Sequence, residues 1–270
     1  MRLEDATQAL AAAGIENPRR EARLLLARAM NVSRDASLTA TPSPQESAAF
    51  ASFVVRRAAH EPFAYIAGRK EFWSLEFDVG PGVLIPRPDT ETLIEQALRL
   101  VADKQAPLHI ADLGAGSAAI LVAALTEFPN ATGIGFESAP QAFSFARANA
   151  ARLVGTRAQI RATDWNAASG PFDLVFSNPP YIPSADIESL APDVSRHEPR
   201  AALDGGADGL DAYRGLAGLL PGILKPGGLA LLEFGIGQET ALELLFPELE
   251  IVAIAPDLAG IPRCLVLRRA

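Results

Sequence analysis

The sequence predicts an α/β protein in which a sheet of mainly parallel strands follows a small helical region. Three observations support this prediction. From about residue 108, short apolar runs typical of buried strands alternate with segments of helical periodicity. Residues 1 to about 70 contain only helical patterns, separated by glycine and proline. The loose alternation of apolar residues between 70 and 85 indicates a β-hairpin that links the two parts.

Three helices are predicted in the first 70 residues. Gly14 ends an alanine-rich helix, and Asn17-Pro18 opens a second helix with a cap residue followed by proline. Ser43-Pro44-Gln45-Glu46 has the pattern of a capping box and begins the third. The local excess of arginine suits solvated helix faces as well as a surface for an acidic or RNA-bound partner. These arginines are Arg19, Arg20, Arg23, Arg28, Arg34, Arg56 and Arg57.

The rest of the chain is predicted to alternate between strands and helices. Two prolines in the stretch Val83 to Glu91 favour an extended segment before a helix, and Arg87 is a candidate to meet a carboxylate. The predicted strands are residues 108–113, 132–136, 158–163, 172–177, 229–234, 250–254 and 263–267. The predicted helices are residues 89–102, 119–128, 140–153 and 210–224, and a long loop spans 181 to about 209.

Composition and charge argue against several classes of protein. The chain has 270 residues with 24 Lys and Arg against 32 Asp and Glu, a balance unsuited to general binding of nucleic-acid phosphates. A single cysteine, Cys264, excludes a disulfide framework and a Cys-rich metal site, and we expect no bound metal. The start of the chain is acidic and no apolar run is long enough for a membrane span, so we expect a soluble, cytoplasmic protein.

A glycine-rich turn after the first strand of the sheet predicts a nucleotide site. In Asp112-x-Gly114-x-Gly116, the glycines lack the Cβ atoms that would keep a ligand away from the backbone. Glu137 ends the next strand, at a position where a carboxylate binds the hydroxyls of a ribose. Trp165 follows the third strand and is a candidate to flank an adenine ring. Together they predict an adenosine-containing ligand and leave open a dinucleotide or S-adenosylmethionine.

The tetrapeptide Asn178-Pro179-Pro180-Tyr181 directly follows the predicted strand 172–177. Ligands of open α/β sheets bind at the carboxyl ends of strands. The two prolines fix φ and carry no N–H, so the loop is stiff, while Asn178 offers an acceptor oxygen and an NH2 donor pair. Tyr181 adds a flat face. We therefore predict a site for a planar NH2 group, either a carboxamide or the exocyclic amine of a base.

These segments together resemble the protein-glutamine N5-methyltransferases that modify peptide chain release factors. The resemblance covers nearly the whole chain. Asn178 to Tyr181 alone is shared with adenine-N6 DNA methyltransferases, so the other matching strings matter more. The most specific of them are Ile85-Pro86-Arg87-Pro88, the stretch Leu203 to Leu210, and the stretch Leu231 to Gln238.

The resemblance implies a class I methyltransferase fold that uses S-adenosyl-L-methionine. This fold has a Rossmann-like seven-stranded sheet whose last strand is antiparallel. The implied domains are a helical substrate-recognition domain at residues 1–69, a β-hairpin linker at 70–86 and the methyltransferase domain at 87–270. The implied reaction methylates the side-chain nitrogen of the glutamine in the Gly-Gly-Gln motif of release factors. Release factors are thus the expected partners, and no direct recognition of nucleic acid and no membrane are expected.

The resemblance also assigns site residues by position. The implied cofactor contacts are Gly114, Ala115, Gly116, Ser117, Ala118, Glu137, Trp165 and Asn178. The implied substrate contacts are Asn178, Pro179, Pro180 and Tyr181, of which Asn178, Pro179 and Tyr181 are the expected catalytic residues. Two positions depart from the family pattern. Ala118 replaces a usual glycine, so its methyl group is expected to crowd the cofactor or, if φ is negative, to fit at little cost. Glu137 replaces the more usual aspartate.

Three alternative functions remain open from the sequence. A related enzyme would carry out the same chemistry on a glutamine of a ribosomal protein. An adenine-N6 methyltransferase would use the same tetrapeptide on DNA or RNA, although the acidic balance argues against it. A non-catalytic binding protein would result if Ala118 had abolished cofactor binding.

Overall fold

The computed structural model describes the backbone of residues 1–270 and every side chain except that of Leu38. The chain divides into two compact units, one formed by residues 1–69 with 191–197 and the other by residues 70–190 with 198–270. Residues 191–197 lie inside the range that the sequence assigns to the methyltransferase domain. The predicted boundaries at 69 and 86 stay a prediction.

The secondary structure comprises helices and strands with the following bounds. The helices are α1 (Leu3–Ala12), α2 (Pro18–Met30), α3 (Pro44–Ala58), α4 (Phe63–Ala67), α5 (Glu91–Leu100), α6 (Ala119–Glu127), α7 (Pro140–Leu153), α8 (Pro192–Ser195), α9 (Asp211–Ile223) and α10 (Glu239–Leu245). The strands are β1 (Arg69–Phe72), β2 (Leu75–Asp78), β3 (His109–Leu113), β4 (Thr132–Phe136), β5 (Ala158–Arg161), β6 (Phe172–Ser177), β7 (Leu224–Glu233), β8 (Glu250–Pro256) and β9 (Pro262–Arg268). No helix among the described residues combines the length and the apolar character that crossing a bilayer requires.

The first unit is a small helical body around an apolar core. Leu10, Leu25 and Phe50 on α1, α2 and α3 are buried against one another. The capping box of α3 is confirmed, because the Ser43 amide donates to Glu46 and the Glu46 amide donates to Oγ of Ser43. Asn17 is the N-cap of α2 and Pro18 is its first residue, as predicted, but the Asn17 side chain makes no capping hydrogen bond. That residue has φ of 50°, and its backbone carbonyl accepts from the first turn of α2 instead.

The second unit begins with the predicted hairpin, which is confirmed as a two-stranded sheet of β1 and β2. Trp73 and Ser74 form its turn with φ of 52° and 58°. Two consecutive positive φ values are the geometry that matches the twist of the flanking strands. The amide of Trp73 donates to Glu91 at 2.7 Å and that of Ser74 to Glu71 at 2.6 Å, so two carboxylates satisfy this strained turn.

A seven-stranded sheet follows, in the order β5-β4-β3-β6-β7-β9-β8. The strands from β5 to β7 are parallel, and β9 is antiparallel to both β7 and β8. The predicted antiparallel last strand is therefore confirmed. The chain leaves β3 toward β4 on one side and returns to β6 on the other. Such a reversal of strand order opens a crevice at the carboxyl ends of the strands.

The sheet is covered on both faces, which explains why its central strands are apolar throughout. Leu174 and Phe176 belong to a core with α5, α6 and α7, whereas Val175 belongs to a second core with α9 and α10. Burial of both faces is the condition under which strands appear as continuous hydrophobic runs. It also fixes the register, because a one-residue slip would exchange the two sets of side chains.

Candidate active site

A cavity of about 280 Å³ lies at the carboxyl ends of β3, β4, β5 and β6. The turns after these four strands form most of its wall: residues 114–117, 137–139, 163–165 and 178 with 180. The segment before α5 closes the remaining side with Leu84, Pro86, Arg87 and Thr90. The cavity thus brings together the glycine turn and the Asn-Pro-Pro-Tyr loop, which lie more than 60 residues apart in the chain.

The glycine turn is held by the end of β4. The amides of Gly114 and Ala115 donate to the carbonyl of Phe136 at 3.0 and 2.9 Å. The amide of Gly116 donates to Oε2 of Glu137 at 2.8 Å, and the amide of Ala139 donates to Oε1 at 2.8 Å. These bonds fix the Glu137 carboxylate at the cavity wall. Each carboxylate oxygen has further lone pairs, so the group can still accept from a ligand.

The two glycines of the turn are required for different reasons. Gly114 has φ of 78°, and a Cβ atom on it would approach the Trp165 ring to 3.1 Å. Its missing side chain therefore makes room for the tryptophan that lines the cavity, and not only for a ligand. Gly116 has φ of 56° with open space around it, so the left-handed backbone alone favours glycine there.

Ala118 differs from both expectations drawn for it. Its φ is 63°, the left-handed conformation, and not the negative value that would suit alanine. The side chain is fully buried in the core under the sheet. Among the described residues, Ala118 is also absent from the cavity wall. The methyl group therefore fills the core instead of crowding the cavity.

Replacing Ala118 with glycine is expected to change stability and cofactor affinity only slightly. Relief of the left-handed alanine gains about 1 kcal/mol, and loss of one buried methyl group costs about 0.8 kcal/mol. Thermal unfolding should place Tm within about 4 °C of the parent chain. Titration calorimetry should give a Kd for S-adenosylmethionine, the cofactor that the resemblance implies, within about threefold of the parent chain, or 0.7 kcal/mol. An affinity gain of tenfold or more would show that the methyl group does reach the cofactor.

The Asn-Pro-Pro-Tyr loop is anchored at both ends. Before it, Oγ of Ser177 donates to the carbonyl of Leu113 at 2.7 Å, which ties β6 to β3. After it, Nε2 of Gln238 donates to the carbonyl of Tyr181 at 3.0 Å, while Oε1 of Gln238 accepts from the amide of Gly235 at 2.9 Å. These hydrogen bonds therefore fix the position of the loop relative to the glycine turn.

The side chains of this loop point to two different environments. Asn178 is half-buried on the cavity wall, and its Nδ2 donates to Oγ1 of Thr90 at 3.2 Å. Pro180 also lines the cavity, whereas Pro179 and Tyr181 do not belong to the wall among the residues described. The Tyr181 hydroxyl donates to Oε1 of Glu233 at 3.2 Å. Burial raises the pKa of Tyr181 well above its usual range, so it remains a neutral phenol.

Arg87 meets a carboxylate of the protein itself. Its guanidinium forms an ion pair with Glu198, whose side chain is buried and also accepts from the amide of Ile85 at 3.4 Å. Since Arg87 lines the cavity, this ion pair fixes one wall of the site.

Two family models match the chain, the PrmC N-terminal domain over residues 2–68 and the methyltransferase small domain over residues 90–196. The release factor glutamine methyltransferase of Cereibacter sphaeroides is 44% identical over 280 residues, covering 99% of both chains. That of Rhodospirillum rubrum is 45% identical over 270 residues, covering 96% of this chain and 82% of the relative. The chain belongs to the release factor glutamine methyltransferase family.

A solved structure of lower similarity agrees in fold. The 16S rRNA N2 G1207 methyltransferase of T. thermophilus, in complex with AdoMet and guanosine, aligns with a TM-score of 0.52 at 17% identity. The alignment covers 75% of this chain and 50% of that chain. At this identity the likeness supports the fold alone. With the family matches and the observed sheet, it confirms the predicted class I methyltransferase fold.

Three residues that support the site were not predicted from the sequence. Thr90 contacts Asn178, Glu233 contacts Tyr181, and Gln238 holds the Tyr181 carbonyl. Thr90 and Glu233 are buried. In the sequence, only Glu233 gave a signal of such a role. It is an acidic residue at the end of an otherwise apolar strand, and a charged group is rarely buried without a partner.

Two buried carboxyls have strongly raised pKa values. Burial raises the pKa of Asp112, beneath the glycine turn, to about 7, although a hydrogen bond from the amide of Leu121 acts in the opposite direction. Burial likewise raises the pKa of Glu233 to about 7, while Thr90 and Tyr181 act to lower it. Each group thus takes up a proton more readily in the folded chain than in the unfolded one.

These two carboxyls predict that stability falls as pH rises from about 5 to 7. In that window the unfolded chain, with ordinary values of 3.8 and 4.5, has released protons that the folded chain retains. Carboxyls whose pKa is lowered, such as that of Asp257, change the stability only at lower pH. Glu233→Gln should flatten the slope, because an amide keeps the shape and does not titrate. Urea unfolding at several pH values measures how the free energy of unfolding changes with pH. An unchanged slope in the variant would show that Glu233 does not cause this dependence.

Proposed function

We propose that the chain transfers the methyl group of S-adenosyl-L-methionine to N5 of the glutamine in the Gly-Gly-Gln motif of peptide chain release factors. One observation carries the proposal. The NH2 group of Asn178 is engaged by Thr90 on the wall of a cavity that the glycine turn also borders. The Asn178 oxygen is therefore available to a substrate NH2 group beside a nucleotide-type site. Because this chemistry belongs to translation, a cytoplasmic location is part of the proposal.

The residues present fit S-adenosylmethionine. The glycine turn exposes backbone without Cβ atoms, and the fixed Glu137 carboxylate has lone pairs to accept from ribose hydroxyls. The Trp165 ring and the apolar side chains of Ile120 and Ala142 line the same cavity and would flank the adenine. When bound, the cofactor supplies a methyl group on a sulfonium, whose thioether is a good leaving group.

The task of the protein is to position a poor nucleophile. The lone pair of a carboxamide nitrogen is delocalised into the carbonyl group. We infer that Oδ1 of Asn178 and the carbonyl of Pro179 accept the two amide hydrogens, which directs the nitrogen lone pair toward the methyl group. Both contacts strengthen as the nitrogen becomes pyramidal and positively charged, so they stabilise the transition state more than the ground state. The methylated nitrogen is then acidic enough to lose its proton to water.

Tyr181 is proposed to hold the loop in position. Its hydroxyl is fixed to Glu233, and its carbonyl is bound to Gln238. Because these contacts fix Tyr181, they also restrain the preceding residues Asn178 and Pro179. The packing of the tyrosine ring against the substrate amide stays a prediction.

Recognition of the release factor is proposed to involve the helical region. Residues 1–69 contain nine arginines and no lysine against seven Asp and Glu, although the whole chain has a net charge of −8. In the described part of the chain, Arg19 and Arg20 on α2 are exposed and take part in no ion pair, so they remain available to an acidic partner. Such a surface favours encounter with an acidic protein.

Mass spectrometry of release factors after incubation with the protein and S-adenosylmethionine tests the proposed function. A gain of one methyl group on the peptide that contains Gly-Gly-Gln is expected, and a release factor whose glutamine is replaced by alanine should gain none. Ribosomal proteins and adenine-containing nucleic acids serve as competing substrates. Methylation of either of these, with none on the release factor, would overturn the proposal.

A further inference from the structure

We propose that Gly205 is a positioning residue for the proposed reaction. It lies in residues 203–209, here called the backing segment, which belongs to one of the stretches on which the family resemblance rests. Because Gly205 has no side chain, the backing segment lies directly against the backbone of the Asn-Pro-Pro-Tyr loop and sets the position of Asn178 and Pro179. The assignment rests on the proposed function, since that position matters only if these two residues hold a substrate amide.

The backing segment is joined by backbone hydrogen bonds to the chain that follows the Asn-Pro-Pro-Tyr loop. The amide of Ile182 donates to the carbonyl of Leu203 at 3.0 Å, and the amide of Gly205 donates back to the carbonyl of Ile182 at 2.9 Å. The amide of Ser184 donates to the carbonyl of Gly206 at 2.8 Å. A change in the position of one segment is therefore passed to the other.

Gly205 is required for close approach and not for its backbone conformation. It is buried, and its φ is not in the left-handed region, so other residues could adopt this backbone. A Cβ atom at this position would lie 2.8 Å from the carbonyl oxygens of both Pro180 and Gly209. Even the close C–H···O contacts of proteins keep the carbon about 3.3 to 3.6 Å from the oxygen. Since both oxygens belong to the backbone, an added methyl group must displace one of the two segments by about half an ångström.

Gln238 binds both segments at once. Its Nε2 donates to the carbonyl of Tyr181 at 3.0 Å and to that of Gly209 at 3.2 Å. Its Oε1 accepts from the amide of Gly235, just after β7, at 2.9 Å. A backing segment that moved away from the loop would lose one of the two bonds from Nε2. The displacement that a side chain at Gly205 demands therefore falls on the loop as well.

The displacement would reach the reacting groups because the loop is stiff. Pro180 directly follows Pro179, and both have a fixed φ, so a shift of the Pro180 carbonyl is transmitted to Pro179 and Asn178. Among the described residues, no protein group donates to the Pro179 carbonyl, which leaves it for a substrate hydrogen. Misplacement of a reacting group by about 1 Å costs about 100-fold in rate. A shift of about half that size is therefore expected to lower kcat.

A matched pair of glycine variants separates positioning from stability. Gly205→Ala should lower kcat for glutamine methylation by about 10- to 100-fold, with a Kd for S-adenosylmethionine within about threefold of the parent. Gly228→Ala is the control, because a Cβ atom there would lie 2.9 Å from the carbonyl oxygens of Phe172 and Lys225, also without a positive φ. This contact lies at the amino ends of β6 and β7, opposite the cavity. Both variants should lose stability in urea unfolding, but Gly228→Ala should keep kcat within about twofold.

Gln238→Glu tests the same arrangement without adding an atom, and it applies even if Gly205→Ala does not fold. The carboxylate keeps the shape of the side chain but cannot donate to either segment. We expect kcat to fall by at least about tenfold, whereas Gln159→Glu, the same change at an exposed position of β5, should stay within about twofold. A Gln238→Glu variant with the kcat of the parent would overturn the inference.

A second readout does not depend on the substrate. The side-chain NH2 signal of Asn178 in a ¹⁵N NMR spectrum can be identified by its loss in Asn178→Asp. This signal should move in Gly205→Ala and stay in place in Gly228→Ala. An unmoved signal in Gly205→Ala would overturn the inference, as would equal losses of kcat in the two glycine variants. A parent protein that leaves release factors unmethylated would overturn the proposed function, while the NMR result would still decide whether Gly205 positions the loop.

Discussion

Replacing Asn178 with alanine is expected to lower kcat for glutamine methylation by about 10²- to 10³-fold, the usual cost of removing one preorganised hydrogen-bonding group at a reaction centre. The oxygen that accepts a substrate amide hydrogen is lost, and this contact strengthens in the transition state. Cofactor affinity should fall by no more than about tenfold, since Glu137 and the glycine turn remain. Steady-state methyl transfer and titration calorimetry measure the two effects separately.

Asn130→Ala is a suitable control for this substitution. Asn130 is an exposed asparagine whose Nδ2 donates to the carbonyl of Gln105, and it does not line the cavity. The same chemical change there should leave kcat within about twofold, or 0.4 kcal/mol. If Asn178→Ala retained kcat within tenfold of the parent, the proposed capture of the amide hydrogens would be wrong.

Replacing Glu137 with alanine is expected to weaken S-adenosylmethionine binding by about 10- to 100-fold, the effect of losing hydrogen bonds to a charged group. The substitution removes the predicted ribose contact. It also frees the amides of Gly116 and Ala139, which the carboxylate now holds at 2.8 Å each. The glycine turn should therefore lose its fixed position as well, and calorimetry of cofactor binding would measure the combined loss.

Glu137→Asp separates these contributions, because it keeps the charge and shortens the side chain. It places the more usual residue of the family at this position, so cofactor affinity should stay within about tenfold of the parent. A Kd for Glu137→Ala equal to that of the parent chain would show that the carboxylate does not contact the cofactor.

The sheet was predictable from the sequence because its strands are buried on both faces. The strands at 132–136 and 172–177 and the helix at 140–153 have the predicted bounds. Each combines an apolar run or a helical period with clear end signals, and local pattern is then sufficient. The cavity wall was also predictable in part, since the turns after β3, β4, β5 and β6 all contribute to it.

Other elements depend on contacts that no local pattern displays. β7 begins at Leu224 and not at residue 229, because Phe172 pairs with Leu224 and Leu174 with Leu229 around a bulge that accommodates Pro226. The helix α10 was missed, since it is short and has only Leu242 buried. The contact between Thr90 and Asn178 joins positions that lie 88 residues apart in the chain, so only the folded structure shows it.

The most direct test of the account is a crystal structure of the protein with S-adenosylhomocysteine and a peptide that contains Gly-Gly-Gln. The glutamine nitrogen should lie within hydrogen-bonding distance of both Oδ1 of Asn178 and the carbonyl of Pro179, about 2.7 to 3.2 Å. Its lone pair should point to the sulfur of the bound product. A glutamine side chain whose oxygen faces Asn178, or one that lies outside the cavity, would contradict the proposed mechanism.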